Sequence, residues 1–205
     1  MDISKHWIKE GTALSGTAVS LLPLEESHFS ELEACANDAR IWEFFRTDYS
    51  EASKMHGALE RALELKRAGL QYPFAVRDNR TGNLIGSTRL MDLQPEHLVL
   101  EIGFTWYKPA FWQTVVNPEC KLLLLTFSFE TLMAARVTIQ TDVRNVRSRK
   151  AIEKLGTQYE GKLRSNVLRE NGTRRDSVYY SILAEEWNTV KDALLERVSA
   201  LMSKG

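Results

Sequence analysis

Three short stretches of this chain carry side chains whose types and spacing could do chemistry. In LVLEIGFTWY, Leu100, Ile102, Phe104 and Trp106 alternate with Glu101, Gly103 and Thr105, the period of a strand, so Glu101 and Gly103 share a face. A carboxylate beside a position without a side chain can take a proton from a group that approaches the backbone closely; a tolerated glycine and an exposed strand glutamate are the plain alternatives. In NPECKLLLL, Asn117 can cap a helix, Pro118 suits its first position and Glu119 its positive end. The unpaired N–H groups of such a start suit a phosphate or pyrophosphate, as every helix start does. In RNVRSRKAIEKLG, Arg144, Arg147, Arg149 and Lys150 crowd a helix opened by Asn145. The dipole there disfavours each positive charge by roughly a few tenths of a kcal/mol. An anion would offset that cost, and so would a solvated basic turn with acidic neighbours.

The elements that must position these stretches alternate along the chain. Ala18 to Leu22 reads as a strand and Leu24 to Cys35 as a helix. Ser50 can cap a second helix with Met55, Leu59 and Leu63 on one stripe and Gly69 at its end. YPFAVRD and LIGSTRLMDL, joined by NRTGN, have the pattern of two antiparallel strands, with LVLEIGFTWY a third. The segment from Asn117 to Ala135 predicts one long, mostly buried helix, and RVTIQTD a core strand, so strand, helix and strand follow one another from Leu98 to Asp142. A short helix from Asn145 ends at Gly156. Tyr159 to Arg169 and Ser177 to Leu183 flank the hairpin signal Asn171-Gly172. The tail places Trp187, Val190, Leu194, Val198 and Leu201 on one helical stripe.

A length of 205 residues suits one domain, spanning 1–205, with a core over about 18–187 and a closing helix over 184–203. The 27 basic and 27 acidic residues cancel, so there is no global positive field to hold nucleic acid, and no aromatic-basic module supports that reading. The longest aliphatic run, Leu122 to Leu125, is far too short for a membrane span, and no secretory signal is visible at the start; a cytoplasmic protein is expected. Cys35 and Cys120 form no CxxC pair and are expected to be free buried thiols. His6, His28, His56 and His97 lack ligand spacing, so no metal site is expected. A homodimer is compatible with this sequence, although no edge strand or apolar patch marks its interface.

LEIGFTWYKPAFW, VVNPECKLLLLTFSFETLMAARV and TDVRNVRSRKAIEKLGTQYEGKLR, followed by RRDSVYYSIL and EEW, together resemble the GNAT acetyltransferase superfamily. The group that acetylates protein N-terminal amines, typified by ribosomal-protein alanine acetyltransferases, is the most similar. The resemblance runs from Ala18 to Trp187, and NxxSxxAIEKLG followed by EGxLR is its most specific part. It implies an α/β fold: a mixed, mostly antiparallel sheet flanked by helices, splayed at one parallel strand pair, with acetyl-CoA in the opening. It also implies transfer of the acetyl group to a primary amine, on a protein or peptide N-terminus or a small molecule, by direct attack. Glu101 is then the candidate base, and backbone N–H groups of Phe104 and Thr105 polarise the thioester carbonyl. Gln113, Thr114, Val115, Val116 and Asn117 cradle the pyrophosphate, with Arg149 and Lys150 adding positive charge. Asn145 binds the pantetheine arm or a water, and Ser148 assists the departing thiolate. One departure stands out: many members have [Q/R]xxGx[G/A] before the coenzyme helix, where this chain has Trp112 first, Val115 for the glycine and Asn117 for the small residue. Val115 is tolerable only with an unstrained φ and room for its methyl groups. That change also motivates a rival reading, a non-catalytic CoA-binding or regulatory protein on the same fold.

Overall fold

The computed structural model describes residues 7–203, in the element order β1 (Leu14–Ser15), β2 (Val19–Pro23), α1 (Phe29–Ala36), α2 (Ala52–Arg67), β3 (Tyr72–Asp78), β4 (Leu84–Gln94), β5 (Val99–Tyr107), α3 (Val116–Thr126), β6 (Arg136–Asp142), α4 (Val146–Glu153), β7 (Gln158–Leu168), β8 (Arg174–Leu183) and α5 (Trp187–Met202). The strands form one mixed sheet in the order β1-β2-β3-β4-β5-β6-β8-β7. Its neighbours are antiparallel except for the parallel pair β5–β6. One face carries α3, α4 and α5, which contribute Leu124, Ile152 and Val190 to the larger apolar core. The other carries α1 and α2, whose Leu32, Met55 and Leu59 pack with Ala75, Leu84 and Trp106. Each helix buries a stripe at helical spacing, as with Met55, Leu59 and Ala62 of α2. Trp187 of α5 stacks on Phe129 at 5.2 Å, docking the closing helix.

Two features of the sheet create the site. Parallel pairing of β5 with β6 covers only Val99 with Arg136, Leu100 with Val137 and Glu101 with Thr138. Both strands continue, β5 to Tyr107 and β6 to Asp142, so the sheet opens beyond Glu101. Between β4 and β5 the register steps from Ser87–Trp106 to Arg89–Gly103, which inserts one extra residue into β5. Phe104 takes up the bulge with a φ of +46°.

Several boundaries differ from expectation. The α3 helix is not capped by Asn117: it begins at Val116 with Val115 in the capping position, and Pro118 is its third residue. Glu119, rather than simply complementing the dipole, accepts 2.8 Å hydrogen bonds from the backbone N–H groups of Thr17, Ala18 and Val19. A side chain on Gly16 would collide with that carboxylate, its Cβ falling 2.6 Å from the carboxyl carbon. The long helix expected to Ala135 stops being regular at Thr126 and closes in a π turn over Phe127–Thr131, where Ser128 Oγ donates to the Leu124 carbonyl. Ser50 does not cap α2; the position before the helix is Glu51. Leu24 to Cys35 is helical only from Phe29, after a short 3-10 turn over Glu26–His28. Asn145 does cap α4, its Oδ1 accepting from Ser148 N–H at 3.0 Å, and Gly156 follows with a φ of +85°. Gly172 turns the last hairpin with a φ of +78°. Strand β7 is a sheet edge on which Tyr159, Leu163 and Leu168 are exposed.

Candidate active site

Glu101 stands where β5 and β6 begin to part, on the α1–α2 face of the sheet. Both of its carboxylate oxygens accept from Gln140 Nε2, at 3.0 and 3.3 Å. Gln140 Oε1 in turn accepts from Arg175 Nη2 at 3.3 Å, and Arg175 Nε donates to Ser177 Oγ. Burial pushes the Glu101 carboxyl above its ordinary value; the Gln140 hydrogen bond and the Arg175 charge oppose the shift without cancelling it. The glycine beside it is what lets the carboxylate lie there: a Cβ on Gly103 would collide with it, falling 2.9 Å from Glu101 Oε1 and 2.7 Å from Met91 Sδ. This is a partly desolvated carboxylate laid over the bare backbone of Gly103.

An aromatic wall closes the same face. Phe104, turned outward by the bulge, meets Phe45 at 5.5 Å and Tyr49 at 5.7 Å, with Trp42 against both. The β7–β8 hairpin tip arches back to that wall: Arg169 Nη1 donates to the Glu43 carbonyl, Glu170 N–H to the Arg46 carbonyl, and Lys54 pairs with Glu170 at 3.1 Å. Arg169 also pairs with Asp142, which is wholly buried and takes a second bridge from Arg144. Burial works against the Asp142 charge, but the Arg144 hydrogen bonds and the two guanidinium groups outweigh it and hold the carboxyl below its ordinary range.

The opening itself is bounded by two helix starts. In the loop before α3 the left-handed residue is Gln113, with a φ of +63°, whereas Val115 has an ordinary φ of −65°. Thr114 Oγ1 donates to the Phe111 carbonyl and accepts from Val116 N–H, and Pro118 has no N–H, so the Asn117 amide is the donor left in the first three residues of α3. Asn117 Oδ1 lies 3.5 Å from the Tyr107 hydroxyl. Across the opening, Arg147 stacks on Trp112 at 3.5 Å, joining the start of α4 to the loop before α3. Arg149 is engaged by the Tyr180 hydroxyl, the Val143 carbonyl and Glu153. Lys150 is exposed, and the Ser148 side chain is half-buried beside the Asn145 cap. Under the bulge, buried Lys121 of α3 donates to Thr105 Oγ1 at 2.8 Å, and Thr105 shares a hydrogen bond with Thr88. Burial pulls the Lys121 ammonium down to about 8.

The structure therefore brings Glu101, Phe104 and Thr105 together at the parting of the strands, and sets the Gln113–Asn117 loop and the Asn145–Lys150 turn on its two sides. Sequence reasoning missed Arg89, Gln140, Arg175 and Lys121: Gln140 and Lys121 lie in elements read as buried, Arg89 in a strand given no part in the site, and Arg175 between the Asn171-Gly172 turn and the strand read from Ser177. Only the register brings them to the site. Among the described residues, no cluster of His, Cys, Asp or Glu is placed to hold a metal, and no helix is long and apolar enough to cross a membrane; His6 lies outside those residues.

A family model described as Acetyltransferase (GNAT) domain matches residues 19–158, from the start of β2 into β7. The chain belongs to the GNAT acetyltransferase family. A protein of Bacillus subtilis (strain 168), named "Putative ribosomal N-acetyltransferase YdaF", is 36% identical over 110 residues, which cover 54% of this chain and 59% of the relative, well short of its whole length. A solved GCN5-related N-acetyltransferase from Brucella melitensis superposes with a TM-score of 0.85 at 25% identity, over 93% of this chain and 86% of that one. Mycobacterium smegmatis RimJ in complex with CoA-disulfide shares the fold, with a TM-score of 0.78 at 16% identity over 92% of this chain and 95% of its own. The parted parallel strands and the bulged β5 are thus a GNAT sheet.

Proposed function

We propose that this chain is an N-acetyltransferase that transfers the acetyl group of acetyl-CoA to a primary amine by direct attack, without a covalent enzyme intermediate. The observation that carries the reading is the Glu101 carboxylate, its pKa raised by burial, standing where β5 and β6 part and Phe104 bulges. The residues around the opening suit the coenzyme: an α3 start with a free Asn117 amide, an unstrained Val115, and an exposed Lys150. Val115 meets the first requirement that its substitution for glycine imposes, a φ any residue can adopt.

In this reading Glu101 takes the proton that the amine loses as nitrogen bonds to the thioester carbon. Backbone N–H groups at Phe104 and Thr105 hold the oxygen as it gains charge, and Lys121 behind Thr105 adds a positive field. When the carbon–sulfur bond breaks, the Ser148 hydroxyl hydrogen-bonds the departing thiolate, which takes its proton from solvent. An α-amine, with a pKa near 8, needs less help than a lysine amine near 10.4, so a mildly basic carboxylate suits an N-terminal acceptor. The name carried by the YdaF relative, a ribosomal N-acetyltransferase, supports a protein acceptor.

Thermal unfolding with acetyl-CoA, CoA and ATP tests the coenzyme half, since specific binding stabilises by about 2.7 kcal/mol at 100-fold excess over Kd. A saturable rise with acetyl-CoA and CoA but not ATP is expected. No shift at millimolar acetyl-CoA sinks the reading. Acetyl transfer to short peptides with free N-termini tests the other half, and binding without transfer to any amine would favour the non-catalytic reading.

A further inference from the structure

Among the described residues, Arg89 is a buried cation on the α1–α2 face with two unpartnered donors; buried Arg169, which pairs with Asp142, lacks a partner only at Nε. Arg89 lies on β4 directly opposite Gly103, with Met91, two residues on, opposite Glu101. The residue is only 6% exposed. One guanidinium face is covered by the Phe104 ring at 3.9 Å, and Nη1 reaches Gln71 Oε1 at 3.5 Å. Nε and Nη2 have no partner, and among the described residues no carboxylate pairs with the group. Tyr49, from the aromatic wall, is the titratable group that faces it, and burial pulls the guanidinium down to about 10. Arg175 on β8 makes the contrast: its guanidinium is engaged by Gln140 and Ser177.

An arginine taken out of water without a counter-charge costs several kcal/mol, so a buried guanidinium with free donors needs an explanation. The identity of the free atoms supplies one. The Nε–H and the adjacent Nη2–H run parallel along one edge of the guanidinium, the geometry that grips both oxygens of a carboxylate. Arg89 lies on the same sheet face as Glu101, on the strand next to the base. Opposed and diagonal positions on neighbouring strands stand about 5–8 Å apart, the reach of one small acceptor molecule.

We propose that Arg89 is the carboxylate-binding residue of the acceptor site, and that the amine acetylated here carries a carboxylate on the same molecule, a few bonds from the nitrogen. The proposal rests on the acetyltransferase reading and adds the acceptor's chemical class. The carboxylate has two sources: the α-carboxylate of a free amino acid, or the acidic side chain of a peptide's first residue.

The test compares matched acceptors with the full chain and acetyl-CoA: a free amino acid against its amide, and a peptide beginning with Asp or Glu against one beginning with Asn or Gln. Wild type is expected to favour the carboxylate member of one pair by about 10- to 100-fold in kcat/KM, and the pair that shows it identifies the source. Arg89→Met is expected to bring that ratio within about threefold, chiefly through KM, with acetyl-CoA affinity unchanged. Arg89→Lys, which keeps charge but not the fork, should fall between. Because the wild-type ratio needs no variant, a misfolded Arg89→Met cannot shelter the proposal. Wild type that acetylates acid and amide equally, or an Arg89→Met protein that keeps the ratio, overturns it while leaving the acetyltransferase reading intact. Wild type that acetylates no amine at all overturns both.

Discussion

The two sides of the β5–β6 opening are built on opposite principles. On the α3–α4 side, charge is abundant in sequence but already taken: Arg144 by Asp142, Arg147 by Trp112, Arg149 by Tyr180 and Glu153. What is left for a ligand there is a backbone amide at Asn117 and the exposed Lys150. On the α1–α2 side two charges are less well answered: half-buried Glu101, its carboxyl pushed up by desolvation, and buried Arg89, short of partners. A diffuse, screened field suits a coenzyme held by its phosphates; a desolvated base and an unpaired cation suit selection of one acceptor and its deprotonation. Counting charges along the chain ranks the two sides the wrong way round.

If that division holds, substitutions on one side leave the other side's property alone. Glu101→Gln carries the largest effect: kcat/KM should fall by about 10²-fold or more with acetyl-CoA affinity unchanged in a calorimetric titration. The wild-type acid limb of kcat/KM should lie above pH 4.5, because the base acts only when ionised and burial raises its pKa, and that limb should vanish in the variant. A matching loss of acetyl-CoA affinity would break the comparison.

Asp142→Asn comes next, since Asp142 is 0% exposed and its partner Arg169 only 7%. Leaving one partner of such a pair uncompensated costs about 3–5 kcal/mol, so urea unfolding should show a large loss, much of it recovered in Asp142→Asn with Arg169→Met. The sign with pH is set by a folded-state pKa below the ordinary 3.8: the contribution is complete above that value and disappears as pH falls through the lower one. The variant should therefore lose the acid-dependent part of its stability curve.

Ser148→Ala should lower turnover by about tenfold, roughly 1.4 kcal/mol, with little change in acetyl-CoA affinity; equal turnover would remove the hydroxyl from the reaction. The smallest effect is Lys150→Ala, expected to weaken acetyl-CoA binding about two- to fivefold, and less at high salt. Arg149→Ala, by contrast, should cost stability and leave that affinity alone. A reversed pattern for these two would show that α4 turns its other cation to the coenzyme.

Much of the fold was legible because local chemistry and tertiary structure agree. The Asn145 cap, the Gly156 stop and the Asn171-Gly172 turn are present as read; the alternation in LVLEIGFTWY holds only to Gly103, because the bulge moves Phe104 and Trp106 to the face opposite Leu100 and Ile102. The start of α3 was misread because Asn117, Pro118 and Glu119 form an ordinary capping signal, whereas Glu119 is drawn off by three N–H groups about a hundred residues earlier. The backbone angle at the changed loop glycine was not legible either: the positive φ falls on Gln113, two residues before Val115.

The sequence by itself determined the order of elements, the strand carrying Glu101 and Gly103, and the start of α4, because these follow from periodicity and caps within a few residues. Only the tertiary structure decided which charges remain free. A one-residue bulge in β5 sets which side chains of β4 and β5 share a face, and pairing partners such as Arg169 with Asp142 are 27 residues apart. Register and long-range pairing are properties of the closed sheet, and in this protein they separate a satisfied arginine from one that still needs an anion.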